Sequence, residues 1–294
     1  MRIVFIGSVR FSLVCLKKVL RLKGVQVVGV ITLEKSPFNS DFASLGRAAE
    51  EAGIPCFFAD DATQEKTAAW MGALKPDILY CFGWSFLLGK EILEAAPRGV
   101  IGYHPSALPE NRGRHPVIWA LALGLKKTAS TFFFMNEQAD AGDILSQKPV
   151  AIDKNDDASS LYEKLTSTAT AQIAEFTPRL IAGTHRRVPQ DASRASSWRK
   201  RGKHDGQIDW RMSAASICNL VRALTHPYPG AHCLYQQKEI TIWKAEPVDF
   251  EQKNVEPGKV IERKKRVITI KCGEHAVRLL EHAFTKLPAK GEYL

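Results

Sequence analysis

The chain has 294 residues, 45% of them apolar, and a formal net charge of +10. This length accommodates one or two domains with cores of their own, and no run approaches the roughly 20 apolar residues that carry a helix across a bilayer. The charge is uneven: residues 184–294 hold 21 Lys and Arg against 12 Asp and Glu, whereas the first 183 hold 20 against 19. Such a basic rear third suits either a polyanionic partner or a solvated surface.

The first residues, Met1 to Ser8, have no long apolar segment with a small-residue cleavage site, and they read as a strand rather than a signal peptide. Helical spacing follows over 11–22, a strand over 25–32, a helix over 42–53, a short strand over 54–59, a helix over 67–74, and a strand over 77–84. A helix over 90–96 and a strand over 99–104 continue the alternation. This order predicts an α/β fold: a Rossmann-like, mostly parallel sheet with helices on both faces. Gly7 stands alone after the first strand, where a dinucleotide fingerprint needs three glycines, so NAD binding is not expected.

Residues 115–124 read as a helix with Pro116 in its first turn, and 130–135 and 144–152 as two late strands. A longer helix is expected from an N-cap at Asp157, with Leu161, Leu165, Ala169, Ile173 and Phe176 on one face and a stop near Pro178. The basic, Ser- and Gly-containing stretch 184–207 reads as a linker between a catalytic domain, 1–183, and a small β-rich, OB-like domain, 208–294. Six scattered cysteines without a Cys-x-x-Cys pair fit buried free thiols in a reducing cytoplasm.

Two short stretches carry ionisable groups suited to chemistry. His104 ends an apolar strand, where a doubly wound sheet binds its ligands, and Pro105 holds the exit extended. Ala139-Asp140-Ala141-Gly142-Asp143 forms the turn between the late strands. Asp140 or Asp143 could meet His104 at the sheet rim, where a carboxylate fixes the imidazole tautomer and raises its basicity. Such a pair can take a proton from an attacking amine. The spacing of His104, His115 and the aspartates fits no common zinc pattern, and no metal is expected.

With these residues in view, the chain resembles the folate-dependent formyltransferases, which include the methionyl-tRNA and sugar N-formyltransferases. The resemblance rests on His104-Pro105-Ser106-Ala107-Leu108-Pro109 followed by Arg112-Gly113-Arg114, and on Asp140-Ala141-Gly142-Asp143, with Asp140 36 positions after His104. Residues 205–210 and 226–231 resemble the family's interdomain and second-domain signatures. The resemblance implies N10-formyltetrahydrofolate as formyl donor and an amine as acceptor, with His104 and Asp140 catalytic. It also implies a pterin pocket formed by Phe86, Leu87, Leu88, Ala139, Ala141 and Gly142, with Trp84 beside it. One position departs: the family carries Asn two residues before the histidine to hold the formyl oxygen, and here that residue is Gly102.

The stretch 33–42 is short and nearly neutral, where methionyl-tRNA formyltransferases carry a long basic insertion. The expected acceptor is therefore a nucleotide-linked amino-deoxy sugar, as in glycan biosynthesis. Arg112 or Arg114 would bind its pyrophosphate, and Gly102, Tyr103, Ser106, Lys35 and Asn39 would lie near it. The alternatives are methionyl-tRNA formylation, hydrolysis of formylfolate, or a catalytically impaired relative that binds RNA or nucleotides. The relatives suggest a homodimer.

Overall fold

Continuous apolar runs become the strands of a seven-stranded sheet. The computed structural model describes residues 1–36, 40–59 and 64–294. In chain order, the elements that build this sheet and cover it are β1 (Arg2–Ile6), α1 (Arg10–Val19), β2 (Gln26–Thr32), α2 (Gly46–Glu51), β3 (Cys56–Phe58), α3 (Gln64–Leu74), β4 (Ile78–Cys81), α4 (Lys90–Leu93) and β5 (Val100–His104). They are followed by β6 (Arg112–Gly113), α5 (Pro116–Ala122), β7 (Lys127–Phe134), β8 (Ile144–Ala151), α6 (Ala158–Ala182) and β9 (Ser197–Trp198). The strand order is β3-β2-β1-β4-β5-β7-β8. The first five strands pair in parallel, and β7 runs antiparallel to β5. The order reverses between β1 and β4, so a crevice opens beyond the carboxyl ends of the central strands.

β1, β2, β4, β5 and β7 bury both faces, and the strand period sorts their side chains. Val4, Ile6, Leu79, Cys81 and Val100 form one core with Met71 of α3 and Ile92 of α4. The intervening residues build an aromatic core on the other face. There Phe82 contacts Phe5, Tyr80 and Phe132, and Phe11 of α1 and Phe176 of α6 join the cluster.

α6 begins as its sequence specifies, with Asp157 Oδ1 accepting the Ser160 N–H at 2.9 Å. Leu161, Leu165, Ala169, Ile173 and Phe176 are all buried. The expected stop near Pro178 is corrected: the helix continues to Ala182. A proline removes only one helical N–H, while Leu180 beyond it is buried and its carbonyl accepts Arg98 Nη1 at 2.6 Å. Gly183, with φ of +70°, ends the helix instead, and the Thr184 N–H closes back on Arg179 O.

The chain divides into two compact units, one of Met1–Pro116, Thr128–Val150 and Glu163–Trp198, the other of Val117–Lys127, Ala151–Tyr162 and Arg199–Leu294. Part of the stretch read as a linker, residues 184–198, lies in the first unit. Val188 bridges to Ile144 there, and β9 pairs with β6. The second unit holds α7 (Ala214–Leu224), β10 (Ala231–Tyr235), β11 (Lys238–Val248), β12 (Val260–Lys264), β13 (Val267–Lys271) and β14 (Ala276–His282). The five strands form an antiparallel sheet in the order β10-β11-β14-β13-β12.

All six cysteines are free, and burial pushes the Cys81 and Cys233 thiols up to about 12, leaving them unreactive. No helix among the described residues is long and apolar enough to cross a membrane.

The buried Tyr80 hydroxyl meets Thr177 Oγ1 at 2.9 Å and ties β4 to α6. Tyr80→Phe is expected to cost about 1 kcal/mol, and Tyr80→Phe with Thr177→Val less than the two singles summed. Urea denaturation of the four proteins measures this, and strictly additive losses would mean that the two hydroxyls do not interact.

Candidate functional site

His104 closes β5 and is 5% exposed. It lies on the same face as Val100 and Gly102, the face covered by α3 and α4. The chain turns immediately, with the Ser106 N–H donating to His104 O at 2.9 Å. His104 Nε2 lies 2.8 Å from the Asn111 carbonyl oxygen. A carbonyl only accepts, so Nε2 carries a proton. On the other side, Nδ1 lies 3.6 Å from Asp140 Oδ2. That is longer than a hydrogen bond but well within the range of charge interaction. The carboxylate faces a ring proton only when the imidazole is doubly protonated, so the geometry suits a histidine that becomes cationic during a reaction.

Asp140 is the aspartate that reaches His104. Its backbone is left-handed (φ +56°), a conformation aspartate tolerates in turns, and its Oδ2 accepts the Gly113 N–H at 2.9 Å. Gly142 lets the turn close: a Cβ there would stand 1.7 Å from Phe134 O. Gln190 then holds the turn from outside. Its Nε2 donates to the carbonyls of Asp140 (2.8 Å) and Gly142 (2.7 Å), and its Oε1 accepts Arg112 Nη2 at 2.7 Å. Two strand-end loops distant in the chain are thus locked together around the carboxylate.

The other expected residues separate into groups. Trp84, Phe86, Leu87 and Leu88 line a narrow apolar cleft with Ile6 and Ile31. Leu87 is 75% exposed at this cleft, and Trp84 and Leu88 pack on the same core face as His104. Ala139 is exposed, Ala141 half-buried and Gly142 buried, all in the Asp140 turn. Tyr103 turns to the opposite face, stacking on Phe11 at 4.3 Å and accepting Ser130 Oγ, so it does not converge with His104. Ser106 is fully buried in the turn, donating to Glu110 O. Arg112 is buried against Gln190, whereas Arg114 is exposed and donates to Ser85 O. Lys35 is exposed, and Asn39 lies outside the described residues. Among the described residues no group of three His, Cys, Asp or Glu side chains is placed to hold a metal.

The space beside Gly102 is filled. A Cβ at this position would stand 2.8 Å from Met135 Cγ and 3.0 Å from Phe133 Cζ. Where a polar side chain could flank His104, this protein places a thioether.

The model of the family described as formyl transferase matches residues 1–177, and that of its C-terminal domain matches 200–292. The chain belongs to the formyl transferase family. It is a formyl-transfer enzyme by that membership, and solved structures share its fold. WlaRD, a sugar 3N-formyl transferase determined in the presence of dTDP and 5-N-formyl-THF, is 16% identical, with a TM-score of 0.72 over 98% of this chain and 99% of that one. The N-formyltransferase from Helicobacter canadensis, in complex with folinic acid and dTDP-3-aminofucose, is 17% identical, with a TM-score of 0.73 over 96% and 99%. Methionyl-tRNA formyltransferase from Clostridium thermocellum is 16% identical, with a TM-score of 0.61 over 96% and 99%.

Asn111, Met135 and Gln190 were not singled out from the sequence of this formyltransferase. Met135 ends an apolar strand run and is two residues of register from Phe133, yet its contact with Gly102 needs the antiparallel pairing of β5 with β7 to be known.

Two outcomes are expected. Gln190→Ala should lower kcat by roughly tenfold to a hundredfold, through displacement of the Asp140 turn, with a smaller change in donor KM. Steady-state kinetics check this, and unchanged kcat would remove Gln190 from the positioning network. Gly102→Asn should destabilise the protein more in the wild-type background than beside Met135→Ala, and a thermal-unfolding double-mutant cycle without coupling would contradict the close contact.

Proposed function

We propose that this formyltransferase moves the formyl group of N10-formyltetrahydrofolate onto the amine of a nucleotide-linked amino-deoxy sugar. The observation that carries the reading is the His104–Asp140 pair at 3.6 Å, on the sheet face that also bears the apolar Trp84–Leu88 cleft. The chemistry of the cleft supports the donor: Trp84 and Phe86 offer flat rings, and Leu87 and Leu88 apolar surface, against which a pteridine would pack. When bound, the donor would supply a formyl carbon open to attack by an amine; as the new C–N bond forms, the bond to N10 breaks, and N10 leaves with the proton that the amine gives up.

The residues of this chain then divide the work. His104 presents its Nε2 proton, held by Asn111 O in the structure described, to the formyl oxygen as negative charge develops there. Asp140 offsets the positive charge on the imidazole and receives the proton released by the amine, directly or through water. The Gly113 N–H and Gln190 hold that carboxylate in place. Arg114, exposed at the same loop, is the arginine available to a pyrophosphate, since the Arg112 guanidinium is engaged by Gln190.

Support for a sugar acceptor comes from the closer fold agreement with the two sugar N-formyltransferases, 0.72 and 0.73, than with the methionyl-tRNA enzyme, 0.61. The short, nearly neutral stretch 33–42 points the same way. A second reading, a catalytically impaired relative that binds RNA or nucleotides, is favoured by one observation: Met135 occupies the place of a polar donor beside Gly102.

Incubation with the formyl donor and a panel of amino-sugar nucleotides and charged initiator tRNA tests the proposal. Release of tetrahydrofolate matched by one formylated sugar is expected, and His104→Ala should lower that rate by roughly 10²- to 10⁴-fold. Formylated tRNA, folate release without an acceptor product, or RNA binding without turnover would each replace this reading with another.

A further inference from the structure

A second concave surface lies on the opposite face of the sheet from His104. Tyr103, Phe132 and Phe134 share the face covered by α6, because Tyr103 pairs with Phe132 and Ile101 with Phe134 across β5 and β7. Along that side, a groove of about 340 Å³ is lined by Ser146 of β8, Glu175 and Arg179 of α6, and Thr184, His185 and Arg186 just beyond the helix. None of these residues takes part in the proposed formyl transfer. The last three open the basic stretch that gave the rear third of the chain its charge.

The charges in and around the groove are unbalanced. Glu175 is the one carboxylate in the lining, and Lys148 engages it at 2.5 Å. Arg179 and Arg186 form no ion pair with any described residue. Behind them, the Arg187 guanidinium lies 3.5 Å from the centroid of Phe134, and Arg187 Nη2 approaches Arg98 O at 3.5 Å. His185 sits against the same Phe134 ring, 5.7 Å between centroids. Burial, then Arg187 and Arg98, lower its pKa, which reports a positive local field.

His185 supplies the independent observation. Its Nδ1 is buried and has no hydrogen-bond partner. Buried polar nitrogens are nearly always satisfied, so an acceptor in the groove would favour a turn of the His185 ring that brings Nδ1 out to it. Arg179, Arg186, Thr184 and the His185 ring line one groove whose single acid is already paired. Arginine forks match phosphate oxygens bidentately, and a volume of this order accommodates a small molecule rather than a flat polymer contact.

We propose that this groove is a binding site for a small phosphate-bearing ligand, separate from the formyl-transfer site. Arg179 and Arg186 bind the phosphate oxygens, and a turn of the His185 ring brings Nδ1 to donate to them. The segment that carries His185 runs on through Val188, which bridges to Ile144, to Gln190, which holds the Asp140 turn. An occupant therefore sits at one end of the strap that positions the catalytic carboxylate.

Inorganic pyrophosphate is the probe, added to the full chain at low ionic strength and followed by calorimetry and by the ring resonances of His185. Saturable binding that shifts those resonances is expected. The double variant Arg179→Ala/Arg186→Ala should weaken it about tenfold or more while leaving formyl transfer unchanged. His185→Phe, which keeps a ring on Phe134 but removes the nitrogen, should weaken it as well. Arg114→Ala should leave it intact, which separates this groove from the proposed sugar-nucleotide site. No pyrophosphate binding, binding indifferent to the double variant, or binding of single-stranded RNA alone would overturn the proposal.

Discussion

The approach of one carboxylate to one imidazole is the constraint on which the rest of the site depends. His104 is fixed by β5 and cannot leave the sheet, so Asp140 must be carried to it. Three contacts do this: the Gly113 N–H bonds the carboxylate itself, Gln190 grips the carbonyls on either side of the turn, and Gly142 lets that turn press against the end of β7. The first two ties are hydrogen bonds of ordinary strength and the third is close packing, but together they fix an aspartate with left-handed backbone in one orientation. In the proposed reaction the pair gains from such rigidity, because a misplacement of about an ångström can cost roughly a hundredfold in rate.

The parallel sheet supplies the stage for this contact. Its two faces carry different cores, an aliphatic one beneath α3 and α4 and an aromatic one beneath α1 and α6. His104 belongs to the aliphatic face together with the cleft residues, while its neighbour Tyr103 is committed to the aromatic face. Strand alternation alone therefore decides which of two adjacent polar residues faces the cleft. The same alternation puts Gly102 beside His104, with Met135 against it. In the proposed transfer, stabilising the formyl oxygen then falls to His104 itself, to a backbone N–H or to water.

Much of this architecture was legible from residues alone. The continuous apolar runs fix the strands because burial on both faces leaves no polar alternation, and His104 stood out because an ionisable group ended such a run. Asp157 and the apolar face of α6 were equally readable, since capping and helical period are local. The choice of Asp140 over Asp143 was left open by the residues and followed only from the family resemblance. Gln190 was illegible, because a lone glutamine among Pro, Asp and Ser says nothing of the loops it will meet. Arg112 and Arg114 look alike in sequence, and only the pairing of β6 with β9 buries one and exposes the other. Pro178 misled for a related reason: the local penalty of a proline is visible, but the burial of Leu180 beyond it is not.

The most direct measurement of the central contact is a double-mutant cycle on kcat/KM for formyl transfer, using His104→Ala, Asp140→Asn and the two combined. If the imidazole and the carboxylate act as one unit, the double variant will be about as slow as the slower single variant. Losses that add in free energy would contradict a joint role and leave the two side chains as neighbours without shared chemistry.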